Sequence, residues 1–162
     1  MAFPSWYLMT GKTLVAYHSK SGASATYAKE IAEALKSKGL QVDLVDLREC
    51  KPDVSIYDNI VVGTGVRMSI VYWKWRKVLR QKSLRDKRLF LFLSSGTAIK
   101  EPEKAVEKFL KPLAEKYKLK SLALASFPGF IPEKWAEPGA EKETVKPGLA
   151  KEWALAISEK MV

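Results

Sequence analysis

The chain has 162 residues, a single cysteine, a single histidine and a formal net charge of +10. That length suits one domain, spanning residues 1–162, that buries its own core without disulfide or metal support; Cys50 and His18, each alone of its kind, exclude an intrachain disulfide, a CxxC redox pair and a His/Cys metal cluster. Apolar runs such as residues 89–93 fall far short of the ~20 residues of a membrane span, and residues 1–10 lack the basic start and long apolar stretch of a secretory leader, so a cytoplasmic setting is expected.

Short apolar runs alternate with longer amphipathic segments, the pattern of βα units around a largely parallel sheet. Residues 13–17 are apolar enough for a central strand covered on both faces. The spacing of Ala28, Ile31, Ala32 and Leu35 predicts a helix over 24–38, with Gly39 as its stop. Residues 41–47 alternate as a half-exposed strand does, and 59–63 read as a short buried one. A second helix is expected over 70–81, carrying Trp73, Val78 and Leu79 among Lys74, Arg76, Lys77 and Arg80, which leaves 64–69 as a loop. Residues 88–93 give a fourth strand. A third helix follows over 102–117, with Pro102 and Glu103 suited to its first turn, an inward stripe of Ala105, Val106, Phe109, Leu110 and Leu113, and a kink expected at Pro112. A fifth strand covers 121–126. Residues 127–148, punctuated by Pro128, Gly129, Pro132, Pro138, Gly139, Pro147 and Gly148, read as a functional loop. A last helix over 149–161 is expected to bury Trp153, Ile157 and Ala156.

In a doubly wound sheet, ligands bind beyond the C-terminal ends of the strands, where strand order reverses. Three loops meet that condition. The first, Ser19-Lys20-Ser21-Gly22-Ala23-Ser24, offers three hydroxyls, a glycine for close backbone approach and the free amides of a helix start, which together describe a phosphate nest. An ordinary Ser/Gly turn with an N-cap needs only one or two such residues. Neither the Walker GxxxxGK[ST] nor the Rossmann GxGxxG spacing is present, so ATP and NAD readings lose their usual support. The second loop has Gly63 and Gly65 for backbone approach to a flat ring, with Arg67, Tyr72 and Trp73 nearby; a cation or N–H aimed at a flavin's N1/C2 edge would stabilise charge on the reduced ring. Tyr72 and Trp73 serve equally well as packing residues. The third loop is Ser94-Ser95-Gly96-Thr97. His18 adjoins the first loop with no serine–histidine–carboxylate set around it, and Cys50 lies beside Arg48 and Lys51, where a cation would favour its thiolate.

With those residues in place, the chain resembles the flavodoxin family. Ser19-Lys20-Ser21-Gly22-Ala23-Ser24 matches that family's [Thr/Ser]-x-[Thr/Ser]-Gly-x-[Thr/Ser] motif, and the order of elements matches from residue 12 to 160. The resemblance implies a five-stranded parallel sheet of order 2-1-3-4-5 with helices on both faces, in the short-chain form, and FMN as cofactor. It also implies phosphate contact by residues 19–24 and ring contact by Thr64, Gly65, Val66, Arg67 and Met68 and by Ser94, Ser95, Gly96 and Thr97. Within the superfamily, Val62-Gly63-Thr64-Gly65-Val66-Arg67 is similar to the Gly-x-x-[Ile/Val]-Arg segment of the menaquinone-linked, flavodoxin-like protoporphyrinogen oxidases. The segment after strand five is less basic here than in that group and runs on into Glu137, Glu141 and Glu143.

Charge separates the remaining options. Carrier flavodoxins are typically acidic, whereas this chain is strongly basic, which favours acidic redox partners, a tetrapyrrole's propionates, or peripheral contact with an anionic inner-membrane face that holds quinone. The expected function is FMN-dependent electron transfer, as an oxidoreductase acting on a porphyrinogen or quinone or as a carrier serving a protein partner. A flavin-free interaction or polyanion-binding domain is the non-redox alternative. Nucleic-acid binding is not expected: Trp75 within the basic stretch 74–88 is explained by a solvated helix face with aromatics turned inward.

Overall fold

The computed structural model describes residues 12–19, 22–67, 70–71, 78, 81, 84, 86–129 and 144–161; for 66, 67, 70 and 71 only the backbone is considered. Five parallel strands form the sheet: β1 (Lys12–His18), β2 (Gln41–Asp46), β3 (Asn59–Arg67), β4 (Arg88–Ser95) and β5 (Ser121–Pro128). Their order is 2-1-3-4-5, with every neighbouring pair parallel. Helix α1 (Ala23–Ser37) follows β1, and α3 (Pro147–Ser158) closes the chain. Between β4 and β5 lies a helical run, α2, made of Pro102–Ala105, Val106–Leu110 and Lys111–Lys116.

Alternation along the strands sends side chains to two cores, one on each sheet face. On one side Val15, Val61, Phe90 and Phe92 pack with Tyr27, Ile31 and Leu35 of α1 and Ala150, Ala154 and Ile157 of α3. On the other, Leu14, Ile60, Val62, Leu89, Leu91 and Leu93 meet Ala105, Phe109, Leu110 and Leu113 of α2, together with Val78 and Leu84. Central strands β1, β3 and β4 are therefore apolar on both sides. The edge strand β2 exposes Gln41 and Asp43, as its alternating sequence predicts, and also Leu44, which that alternation would place inward with Val42.

Four expectations need correction. Residues 64–67 are not loop: β3 runs on to Arg67, and Ile70–Val71, expected to open a helix, is extended and pairs antiparallel with it, Val66 opposite Val71 and Arg67 opposite Ile70. The β-branched Val66, Ile70 and Val71 suit a hairpin better than a helix start, and the two-residue gap between the paired segments has hairpin length. Of the expected helix, Val78 is helical and buried; Tyr72, Trp73 and the surrounding basic residues lie outside the described residues. Ala156 is exposed, because Ala150, Ala154 and Ile157 set the inward stripe of α3 and Ala156 lies off it. Finally, Gly63 does not leave room for a ligand ring. A Cβ there would sit 1.8 Å from the Phe92 ring, which fills the space instead. A wide turn, Val106–Leu110, immediately precedes Pro112, where a regular ladder would drive the proline ring against the carbonyl one turn back.

Candidate functional site

Strand register brings the expected loops to one edge of the sheet. His18 pairs with Thr64, Thr64 with Leu93, and Gly65 with Ser94, while Ser94 and Ser95 pair with Phe127 and Pro128. The C-terminal ends of β1, β3, β4 and β5 thus lie side by side, and the order in which strands are added reverses between β1 and β3, the switch point of this topology.

At the end of β1 the backbone turns through Gly22, whose φ of +95° is a left-handed conformation that favours glycine. Ser19 Oγ accepts the Gly22 N–H at 2.9 Å and tightens the turn. Gly22 then opens α1; its carbonyl accepts the first helical bond from the Thr26 N–H and a second bond from the Thr26 hydroxyl, both at 3.0 Å. Glycine has no side chain with which to cap, and the first turn holds no acidic residue. The amides of Ala23, Ser24 and Ala25 therefore stand at the positive end of a 15-residue helix dipole without an internal anion. Ser24 is almost fully buried, and its hydroxyl lies 2.7 Å from that of Ser94 on β4, which ties the first loop to the third.

The third loop is partly strand. Ser94 and Ser95 end β4, and the Ser95 hydroxyl accepts the Ala98 N–H at 3.2 Å, shaping the turn Thr97–Ile99. Gly96 and Thr97 are the more accessible pair. In the second segment, Thr64 is buried with its hydroxyl bonded to the Gly65 carbonyl at 3.1 Å, and Gly65 is half-buried. Val66 and Arg67 are placed by backbone only; Lys20, Ser21 and Met68 lie outside the described residues. His18 is buried. Cys50 is exposed, as a reduced thiol.

A second set of residues was not signalled by the sequence. Tyr27, one turn into α1, donates its hydroxyl to the Pro128 carbonyl and accepts the Lys146 N–H at 3.0 Å, so a single oxygen binds both ends of the 128–146 connection. Burial raises its pKa, an effect that the Lys146 N–H partly offsets. The Gly129 N–H donates to the Ser95 carbonyl at 2.8 Å, and the Thr144 hydroxyl donates to the Gly129 carbonyl at 2.6 Å. A Cβ on Gly129 would lie 2.9 Å from the Ser95 backbone, so glycine is required for that approach. Tyr27 also stacks obliquely on Phe127, centroids 5.0 Å apart, and this aromatic cluster continues to Phe92 and Trp153. Periodicity marks Tyr27 only as an inward residue; its hydrogen-bond role depends on contacts more than a hundred residues away.

Among the described residues no group of three or more acidic, histidine or cysteine side chains could hold a metal, and no helix is long and apolar enough to cross a membrane. The donor set at the start of α1, free-standing amides beside the hydroxyls of Ser19 and Ser24, is of the kind that receives an anion.

Comparisons agree with that geometry. The oxidised flavodoxin 2 of Bacillus cereus superposes with a TM-score of 0.61 at 20% identity, over 92% of this chain and 99% of that one. A flavodoxin of Streptococcus pneumoniae gives 0.63 at 18% identity, over 91% and 98%. The protoporphyrinogen IX dehydrogenase [quinone] of Escherichia coli is 24% identical over 95 residues, 57% of this chain and 52% of the relative, so the match spans about half of that protein's length. Residues 14–133 match the flavodoxin domain, and the chain belongs to that family.

Proposed function

We propose that the protein is an FMN-dependent redox protein in which residues 19–24 hold the cofactor phosphate and residues 64–68 and 94–97 border the isoalloxazine ring. The flavodoxin-like fold supports a general FMN-binding, electron-transfer role. The observation that carries the assignment of residues is the left-handed Gly22 opening a helix whose first turn has neither side-chain cap nor acidic residue, flanked by the hydroxyls of Ser19 and Ser24. That is an anion site waiting for three acceptor oxygens.

Bound FMN would supply the redox chemistry, taking up and releasing electrons singly or in pairs. This chain's part is to orient and to tune. First-turn amides and serine hydroxyls would hold the phosphate end, with the Ser24–Ser94 bond tying that end to the β4 edge. Backbone around Gly65 and Gly96 would border the ring, and the cation that the sequence supplies at Arg67 would favour negative charge on its reduced form. None of these roles asks for a nucleophile or a general base.

Titrating the purified protein with FMN while recording the visible absorption spectrum tests the reading. Replacing Ser19 and Ser24 together by alanine removes two hydroxyls near the phosphate; hydrogen bonds to charged groups contribute about 1.5–3 kcal/mol each, so affinity should fall at least tenfold. Unchanged affinity in a folded double variant would remove these residues from the phosphate site. The finer reading, an oxidoreductase for a porphyrinogen or quinone, draws on the Escherichia coli relative and the basic charge. It predicts saturable turnover of those compounds by the FMN-loaded protein, whereas a carrier would turn over only with a protein partner.

A further inference from the structure

We infer that the groove beside the β4 turn is a docking site for an acidic segment of a protein redox partner, gripped by Lys100, Lys104 and Lys108. The groove is lined by Gly96, Thr97 and Ile99 together with those lysines and Glu101. The inference rests on the proposed flavin reading, because Gly96 and Thr97 are the residues assigned to the ring edge. A partner held here would stand next to the place where electrons leave.

Chemistry and spacing both point to an extended acidic chain. Lys104 and Lys108 lie four residues apart on α2, Lys100 stands in the turn just before it, and all three are exposed. One turn of helix separates Lys104 from Lys108, about 6 Å, close to the ~6.6 Å between carboxylates on alternate residues of an extended strand, so two successive carboxylates can meet that pair while Lys100 extends the cationic lining toward Thr97. Glu101 pairs with Lys104 at 3.3 Å, and the next helical lysine, Lys111, pairs with Glu107. Among the described residues Lys100 and Lys108 make no ion pair; Lys108 lies 5.2 Å over the Phe109 ring. The groove lining therefore carries three lysines against the single carboxylate of Glu101, with Glu103 and Glu107 outside the lining. Ile99 offers an apolar wall for the methylenes of a glutamate, and the concavity suits side chains entering from a partner. A net charge of +10 adds long-range attraction toward such a partner.

The test uses FMN-loaded protein and a fluorescent eight-residue peptide with glutamate at alternate positions, with the corresponding glutamine peptide as control. The glutamate peptide should bind, more weakly as salt is raised. A Lys100→Gln, Lys104→Gln, Lys108→Gln variant should bind it about tenfold or more weakly, while a Lys29→Gln, Lys36→Gln, Lys38→Gln variant, which removes equal charge from α1 and the residue that follows it, should change little. Equal binding by both triple variants, or equal binding of the glutamine peptide, would overturn the inference. Tighter binding to phosphatidylserine-containing vesicles through the same three lysines would overturn it in favour of a bilayer. FMN affinity, read by absorption in the same samples, separates the two claims: a protein that takes up no FMN but binds the peptide through these lysines loses the flavin reading and keeps the site.

Discussion

Single hydroxyls carry much of the local specificity. The Ser24–Ser94 bond is buried, so removing either partner leaves the other hydroxyl in a site with little access to water. Ser94→Ala should cost about 1–3 kcal/mol in urea unfolding, and adding Ser24→Ala should cost little more, because the double variant leaves no orphaned hydroxyl. Additive losses would show that the two serines act separately. Tyr57 offers a different reading at the same scale. Its hydroxyl donates to the Asp43 carboxylate at 2.8 Å, and burial, reinforced by that bond, pushes its pKa up to about 12. A folded pKa above the unfolded value near 10 means that the neutral form is favoured by folding. Its contribution is complete below pH ~10 and is lost as pH rises toward about 12. Ultraviolet titration should show a late tyrosine ionisation that is lost in Tyr57→Phe, and the same variant should flatten the alkaline fall in stability; an unchanged alkaline slope would assign that fall to other groups. The Ser/Gly spacing of residues 19–24 was legible from the sequence because adjacent residues carry it. Ser24–Ser94 and Tyr57–Asp43 were not, since the first joins a helix to a strand and the second joins an edge strand to the turn before β3, and only the folded sheet brings the partners together.

Elements join through a few close approaches. Gly63 on β3 lies beside Phe92 on β4, and the phenyl ring occupies the volume of the missing side chain. Gly63→Ala should therefore destabilise by about 3 kcal/mol or more through overpacking, and Phe92→Leu in that background should recover part of the loss; thermal unfolding of the single and double variants measures both. Full stability in Gly63→Ala would mean that the ring can swing aside. Tyr27 joins α1 to both ends of the 128–146 connection, and Gly129 passes that constraint to Ser95. In Tyr27→Phe, the Lys146 amide should exchange its hydrogen faster, with a stability loss of about 1–3 kcal/mol; unaltered exchange would assign the anchoring to Thr144 alone. Strands and helices with clear period, β1, β2, α1 and the inward stripe of α2, were legible in advance. The hairpin at residues 66–71 was not: two extended residues carry no measurable period, and basic and aromatic neighbours downstream made a helix the simpler reading. Glycine at 63 was recognised as a close approach, but a sequence does not say whether a ligand or a phenylalanine fills the space.

At the scale of the whole molecule, alternating strands and helices fixed the class, while the order 2-1-3-4-5 entered through family resemblance and agrees with the observed pairing. Its consequence is that residues from four strands share one edge, so cofactor binding there should stabilise the entire sheet and not one loop. A ligand that binds only the folded state adds RT ln(1 + [L]/Kd), about 2.7 kcal/mol at a hundred times Kd. For a domain of 162 residues, at about 2–4 °C per kcal/mol, this corresponds to a rise in melting temperature of about 5–10 °C. Riboflavin, which has the ring but lacks the phosphate, separates the two ends of the site. If the amides of α1 and the serines beside Gly22 contribute about a hundredfold to affinity, riboflavin at the same concentration sits near its own Kd and stabilises by only about 0.4 kcal/mol, a shift of about 1 °C. Equal shifts from FMN and riboflavin would place the binding energy in the ring alone and leave the uncapped helix start without a role in cofactor binding; a large shift from FMN with almost none from riboflavin is the outcome expected of a sheet edge that grips its cofactor by the phosphate.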